Sequence, residues 1–581
     1  MVEPTALAPL FTWHLRPETP VARDALTKLG HPPLVAQVLA NRNVGPEEVA
    51  GFLEPKLKDL PDPSTLPDFD KAIEVFLRAV AEDHAVLIHG DYDVDGTCGS
   101  AILLRLFRRM GLRVEVFLPD REQDGYSFGP RSLTAVREQN AKVVVAVDNG
   151  TTAFQPLEEL ASMGVSTVIV DHHPPGDRRP ECAALVNPWT VPGAGEPGGP
   201  FPHFCGGGLA WMMAWGALRA FHEGGDLPEA DRIFLKDSLA LAAIATVGDV
   251  MPLRGPNRAL VCAGLGRMRE SSFPGLPALV KNAGIRGNPT ARDIGFRIGP
   301  RLNAAGRLLR GEVAFRALTT DDPVEARKLA DELEELNLRR RSMTEAEEAA
   351  FAPEVEAQIA AGRRVIFAGR QDAPFGVLGI VANRFLDRTG HPVFLWGGIG
   401  DGTARGSARG PEGWDLASLL AAASPPLKGG GHARAAGFEF DPADADAAAE
   451  ALEKAADGLG DPPAPGLAVD AEVRPGDLTS GVVHALEGLR PWGESFPEAR
   501  FLCTGMKLLA APKGIGDGSH AELQLERDGE AVRVLAWRMM GSLAHLQAGT
   551  RVDVIFHPGI NRFRGRASVE WTLEDLRTVE D

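Results

Sequence analysis

From about residue 80 onward, short apolar runs alternate with helical segments. The runs "HAVLIHGD", "LRVEVFLPD", "KVVVAVDNG" and "VSTVIVDHH" have strand length, and "GSAILLRLFRRMG" and "PLEELASMG" between them carry apolar residues at helical spacing. That alternation predicts a parallel sheet covered by helices over roughly 80–255. Aspartates close these runs, and in open parallel sheets the carboxyl ends of the strands form the ligand crevice. Acids far apart in sequence are therefore expected to converge.

The pattern then changes. Between about 322 and 362 helix formers dominate, and Leu329, Leu333 and Leu336 fall at helical spacing, which predicts a long connecting helix. A second α/β unit is expected at about 363–458, opening with "RVIFAGR" and holding two glycine-rich segments. The proline-rich "GDPPAPG" marks a linker. Beyond it, glycine-punctuated runs such as "AELQLERDG" and "RVDVIFHPG" predict an all-β domain over 465–581, sized for a small barrel. Residues 1–80 read as an N-terminal appendage with a proline-rich connector. The expected fold class is two α/β domains joined by a long helix, plus a C-terminal all-β domain.

Bulk properties narrow this picture. At 581 residues the chain is too long for one core, and with 44% hydrophobic residues it lacks an apolar run of about 18, so no membrane span is expected. The N-terminus lacks the basic start and apolar block of a secretory signal. Five cysteines, odd in number and without a CxxC pair, argue against a disulfide framework or a structural zinc site, so a reducing cytoplasm is expected. A net charge of −18 weighs against nonspecific coating of nucleic acid. Metal-binding carboxylates add to that charge themselves, so a local contact with a polyanion stays open.

The candidate chemistry sits at the strand ends. "DYDVDG" opens like an EF-hand calcium loop, but Ile102 stands where the bidentate acid is needed and a strand precedes the loop. Pooling the strand ends instead gathers His89, Asp91, Asp93 and Asp95 from the first, Asp148 from "VDNG", Asp171, His172 and His173 from "DHH", and Asp249 from "GDV". Carboxylates are hard donors and imidazole is borderline, which favours Mn²⁺ or Mg²⁺, with Zn²⁺ and Co²⁺ left open. So many groups suit two divalent ions about 3.5–4 Å apart, sharing an Asp, as in two-metal hydrolases.

"HGDYDVDGT", "VDNG", "DHH" and "GDV", in this order, resemble the DHH phosphoesterase superfamily. "FLEPKLKDLPDP", "IGPRLNAAGRL", "GVLGIVANR" and "GGGHARAAGF" extend the resemblance over nearly the whole chain to its RecJ family of single-strand-specific exonucleases. The resemblance implies a DHH catalytic domain at 81–321, a DHHA1-type substrate-binding domain at 363–458 and an OB-fold at 465–581. It also implies 5′→3′ hydrolysis of single-stranded DNA to 5′-mononucleotides with two metal ions, in repair and recombination. Asp93, Asp95, Asp148, His172 and Asp249 become metal ligands, joined by His89 on the spacing seen in related enzymes. Asp91 either binds metal or orients the ligands, and His173 faces the scissile phosphate. Single-strand-binding protein and a RecQ-type helicase are implied partners, and a monomer is expected.

Other residues are candidates for the strand itself. In "KGGGHARAAGF", Gly430 and Gly431 could form an anion nest beside His432 and Arg434. Ser407 and Arg409, two apart on an expected strand, share a face. Arg301, Asn303 and Arg307 of "IGPRLNAAGR" are offered beside the metal domain, since arginine suits bidentate phosphate binding. In the β domain, Trp537, Arg538, Phe556, Phe563 and Arg564 are candidates for a single-strand path. Relatives carry a Trp-His pair where this chain has "DAPFGVLG", which removes any contact that pair makes. Some also continue into a further C-terminal domain without counterpart here, which is expected to leave out a partner-binding surface. A sister DHH oligoribonuclease or cyclic dinucleotide phosphodiesterase would not need the β module, and a replication scaffold without activity would have lost its ligands.

Overall fold

The structure is a computed structural model, and it describes residues 11–120, 127–194, 204–308, 310–398, 402–460, 466–563 and 566–579. The chain forms two compact units: Glu54–Arg341 with Pro491–Pro497, and Met1–Leu53 with Ser342–Arg490 and Glu498–Asp581.

The second of these units opens with strand β1, Thr12–Leu15. The expected 1–80 appendage is divided: residues up to Leu53 belong to this unit, while the helix Phe69–Ala81 buries Phe69 and Phe76 in the core of the other.

The unit that starts at Glu54 is built on five parallel strands: β2 (Val86–His89), β3 (Val114–Phe117), β4 (Val143–Val147), β5 (Ser166–Val170) and β6 (Ala184–Val186). Their spatial order is β3-β2-β4-β5-β6. β2, β4 and β6 are buried along their whole length, the reason they read as continuous apolar runs rather than alternating ones. Helices α1 (Val94–Arg109), α2 (Gly206–Phe221) and α3 (Glu229–Gly248) contribute to one large apolar core with the sheet. Helix α4 (Gly299–Arg307) follows a π-helical turn over Ile294–Ile298.

The predicted connecting helix is α5, Pro323–Ala360, 38 residues long. Beyond it come β7 (Ile366–Arg370), helix α6 (Phe375–Thr389), β8 (Val393–Gly398), β9 (Ala404–Arg409), β10 (Lys428–Gly431) and β11 (Ala435–Phe440). The five strands form one sheet in the order β10-β11-β9-β8-β7.

β12 (Gly466–Val469) pairs in parallel with β1, from Thr12↔Gly466 to Leu15↔Val469. The remaining strands include β13 (Ala471–Glu472), β14 (Phe501–Leu508), β15 (Lys513–Ile515), β16 (His520–Arg527), β17 (Glu530–Ala536), β18 (Arg551–Phe563) and β19 (Arg566–Thr578). β14 pairs with both β18 and β16, so five strands close through β18, β19 and β17 into a barrel of OB-fold type. Two α/β sheets, a long helix and a small barrel are the fold class expected from the sequence.

Candidate active site

In the parallel sheet, the chain moves from β2 to β3 on one side and then to β4 on the other. The crevice outside the carboxyl ends of β2 and β4 is therefore a topological switch point, where such sheets bind ligands. The sequence "GDYDVDG" leaves β2 there, and Asp148 leaves β4.

Each acid is fixed by the backbone around it. Asp93 caps α1, accepting hydrogen bonds from the N–H groups of Asp95 (2.9 Å) and Gly96 (3.0 Å). Asp95 accepts from Gly206 N–H and Gly207 N–H, both at 2.7 Å, so the N-terminus of α2 meets its carboxylate. Asp148 adopts a left-handed φ of 62°. Asp171 accepts from the N–H of Thr151 (3.1 Å), of His172 (2.8 Å) and of His173 (3.2 Å), and lies 2.7 Å from His173 Nδ1.

These groups meet, but Asp249 arrives from the C-terminal end of helix α3 and not from the strand end expected of it. His172 Nε2 lies 3.1 Å from Asp148 Oδ1, 3.5 Å from Asp249 Oδ2 and 3.6 Å from Asp95 Oδ2. Three sets bring one donor atom per residue within 4.8 Å of one another: Asp91, Asp93 and Asp148; Asp148, His172 and His173; and Asp95, His172 and Asp249. Asp148 belongs to two of them, the position a bridging carboxylate would take.

Electrostatics supplies the test of whether cations fit. Burial, reinforced by repulsion from Asp95 and Asp93, raises Asp148 well above the usual carboxylate range. The same causes push Asp249 up to about 9, and burial with Asp95 raises Asp93. Such crowding is costly without a compensating cation. Burial lowers His172, so its imidazole is neutral and available as a donor. Burial opposes charge on His173, but its hydrogen bond to Asp171 carries it up to about 9. Hard oxygens with one neutral imidazole are a donor set suited to Mn²⁺ or Mg²⁺.

Residues 85–246 match the DHH family, N-terminal domain; residues 362–458 match the DHHA1 domain; residues 469–575 match the RecJ OB domain. The single-stranded-DNA-specific exonuclease RecJ of Thermus thermophilus is 35% identical over 564 residues, 95% of this chain and 78% of that protein. The chain belongs to the RecJ family. The solved structure of Thermus thermophilus RecJ in complex with Mn²⁺ is similar with a TM-score of 0.83, at 32% identity, over 98% of this chain and 80% of that one. For the Mg²⁺ complex the TM-score is 0.77, at 30% identity, over 98% and 79%.

Not every residue singled out in the sequence joins the cluster of this RecJ family member. His89 is fully buried, with Nδ1 3.1 Å from Asn149 Oδ1 and Nε2 2.9 Å from Ser132 Oγ, and its ring stacks on Phe128. Both nitrogens are engaged away from the acids, and burial lowers the imidazole to about 4, so the structure gives His89 a bracing position instead of the expected ligand position. Asn303 Oδ1 accepts the Val94 N–H at 2.9 Å, holding the loop between Asp93 and Asp95 rather than facing outward to a phosphate. Arg301 is ion-paired with Glu334 at 2.6 Å, and Arg307 is half-buried on the same helix.

In the other unit, Arg409 Nη1 donates to Ser407 Oγ at 3.1 Å, so the two do share a face of β9. Gly379 of α6 comes so close that a Cβ there would lie 2.8 Å from Ser407 Oγ and 2.9 Å from Arg409 Nη2. Gly430 and Gly431 lie in β10 as an exposed edge strand paired to β11, not in a nest, because Lys428–Gly431 finds a ladder partner in Ala436–Glu439. His432 and Arg434 are exposed in the turn that follows. Trp537 is 50% exposed and Arg538 is exposed beside it. Phe556 is corrected to core: it is fully buried and stacks 3.6 Å from Trp571. Arg564 and the side chain of Phe563 lie outside the described residues.

The sequence reading missed "FCGGG" at 204–208. Gly206 and Gly207 donate to Asp95, and a Cβ on Gly206 would lie 2.6 Å from Asp148 Cβ. Three glycines at the start of an apolar helical run were the available signal for an anion held at a helix N-terminus.

Proposed function

We propose that this chain is a metal-dependent 5′→3′ exonuclease on single-stranded DNA that releases 5′-mononucleotides. The observation that carries the proposal is the meeting of two sets of partly buried donors, Asp91, Asp93 and Asp148 in one and Asp95, His172 and Asp249 in the other, joined where His172 Nε2 lies 3.1 Å from Asp148 Oδ1, beside the parallel sheet of a RecJ family member. Asp91, Asp93, Asp95, Asp148, His172 and Asp249 would hold two divalent cations, Mn²⁺ or Mg²⁺. When bound, such cations activate water and neutralise charge developing on the phosphoryl oxygens.

The side chains around them have separate tasks. His173, held cationic by Asp171, would face the scissile phosphate. Asp171 has its oxygens committed to backbone N–H groups and to His173, so it orients rather than binds metal. Asn303 and the N-terminus of α2 keep Asp93 and Asp95 in register. Ser407 and Arg409 form a polar pair suited to a terminal phosphate, and exposed Trp537 offers a stacking surface on the barrel.

The described cysteines Cys98, Cys182, Cys205, Cys262 and Cys503 are free, which supports work in a reducing cytoplasm, and no described helix is long and apolar enough to cross a membrane. The enzyme is taken to act as a monomer in repair and recombination, with single-strand-binding protein and a RecQ-type helicase as partners on the family resemblance.

The test is digestion of 5′-labelled and 3′-labelled single-stranded DNA, beside RNA and duplex, with Mn²⁺ or with excess chelator. Immediate release of labelled mononucleotide from the 5′-labelled single strand alone, abolished by chelator, is expected. Preferential digestion of short RNA would favour the oligoribonuclease reading, and full activity in chelator would overturn the metal assignment.

A further inference from the structure

Residues 286–310 hold six arginines (Arg286, Arg292, Arg297, Arg301, Arg307, Arg310) and one acid, Asp293, in a chain whose net charge is −18. This basic stretch is attached to the metal centre at two points. Asn303 accepts the Val94 N–H, and the π-helical turn faces the end of α3, where a Cβ on Gly295 would lie 3.9 Å from Val247 Cγ1, two residues before Asp249. π-Turns are rare and concentrate at functional sites.

The turn is anchored from below. Ile294 and Ile298 are fully buried, which turns Phe296 outward and leaves it 76% exposed. The Arg292 guanidinium carbon lies 5.4 Å from the Phe296 ring centroid. Val250, the residue after Asp249, is also exposed and adopts a left-handed φ of 55°. A rigidly seated aromatic face, flanked by arginine and set near a buried acid cluster, is a combination that suits a nucleobase within a polyanion.

We propose that Phe296, with Arg292 beside it, is a stacking platform for a base of the single-stranded substrate near the mouth of the metal centre. Arg292, against the ring, supplies the cation for a flanking phosphate, since Arg297, Arg301 and Arg310 are paired with Asp293, Glu334 and Glu332. The inference rests on the exonuclease reading above and adds a substrate contact that the metal ligands do not supply. An exposed ring with a guanidinium against it favours this occupant over a protein partner, which would use a broader apolar patch.

The test compares wild-type enzyme with Phe296→Ala, Phe296→Leu and Phe296→Tyr on single-stranded DNA, with Mn²⁺ affinity measured for each. Loss of stacking predicts a KM about tenfold higher for the Ala and Leu variants, with kcat much less changed and the Tyr variant close to wild type. A 2-aminopurine near the 5′ end should be quenched on binding wild-type enzyme and not the Ala variant. Unchanged Mn²⁺ affinity is expected, because the ring is exposed. An unaltered KM for Phe296→Ala, or full rescue by Leu, would overturn the platform and point to apolar docking of a protein. Loss of Mn²⁺ binding would overturn it in favour of a structural role. A wild-type enzyme inactive on single strands would instead defeat the exonuclease reading itself.

Discussion

Asp148 holds a left-handed backbone conformation at the end of β4, a region that Asp and Asn tolerate better than other side chains. Asp148→Asn therefore removes charge without forcing the backbone. Since burial and the neighbouring Asp95 and Asp93 all disfavour a charged group at this position, the metal-free variant should melt no lower than wild type in differential scanning fluorimetry. It should lose the rise in melting temperature that Mn²⁺ gives the wild type, and nuclease activity should fall by at least about a hundredfold. A variant that keeps the Mn²⁺ shift would remove Asp148 from the metal centre.

At this scale the sequence was legible where chemistry is dictated by side-chain type. Three acidic strand ends and a His pair pointed to a cation, and the structure brings those groups together with Asp249, which ends helix α3 and not the fourth strand the sequence suggested. His89 was not legible, because its role depends on Ser132 and Phe128, which lie in no motif, and on Asn149 of "VDNG", a motif read for its aspartate alone. Phe556 failed for a similar reason: a barrel strand alternates inward and outward, and one aromatic on it does not declare its face.

Among the elements, α2 shapes the site by its first turn. Gly207 donates to Asp95, and a Cβ there would lie 2.5 Å from Ala245 Cβ and 3.1 Å from Asp95 Oδ1. Gly207→Ala is expected to weaken Mn²⁺ binding about ten- to a hundredfold, as loss of an outer-sphere support does, with little change in helix content by circular dichroism. Calorimetric titration reads the first quantity. Equal Mn²⁺ affinity in this variant would show that α2 merely packs nearby. Four of the parallel strands were readable as apolar runs and α5 from its helix formers and leucine spacing, whereas the three-residue β6 was too short to read. The π-turn at Ile294–Ile298 was not, since it inserts one residue into an otherwise ordinary helical pattern. Likewise β10 read as an anion nest because its strand character comes from pairing with β11.

Across the whole molecule, the N-terminal segment was the least legible part, because its partners lie more than four hundred positions away. Trp13 Nε1 donates to Asp575 Oδ2 at 2.7 Å, and Arg42 makes a buried pair with Asp470 through Nε (3.0 Å) and Nη2 (2.7 Å). Removing the barrel would therefore strand residues 11–42, so single substitutions are the cleaner probe of its role. Trp537→Ala should weaken binding of long single strands about fivefold or more by fluorescence anisotropy while leaving attack on very short ones unchanged. Equal loss on both lengths would argue against strand capture by the barrel.

The same unit carries a pH-sensitive contact. Burial works against the charge of Glu574, but hydrogen bonds from His557 (2.8 Å) and Arg500 (2.7 Å) hold it down to about 2 from an ordinary 4.5. A carboxyl lowered in the folded state stabilises the protein above its unfolded value, and that contribution disappears as pH falls from about 4.5 towards about 2. Glu574→Gln should flatten the acid limb of the stability profile, measured by urea unfolding at successive pH values. An identical acid limb in the variant would exclude this contact as a source of acid sensitivity.

Anomalous diffraction at the manganese edge from crystals of the full chain soaked in Mn²⁺ tests the central claim most directly. Two peaks flanking the Asp148 carboxylate, one towards Asp91 and Asp93 and one towards His172 and Asp249, are the predicted result. An absence of peaks at Asp148, with manganese bound elsewhere or nowhere, would contradict it.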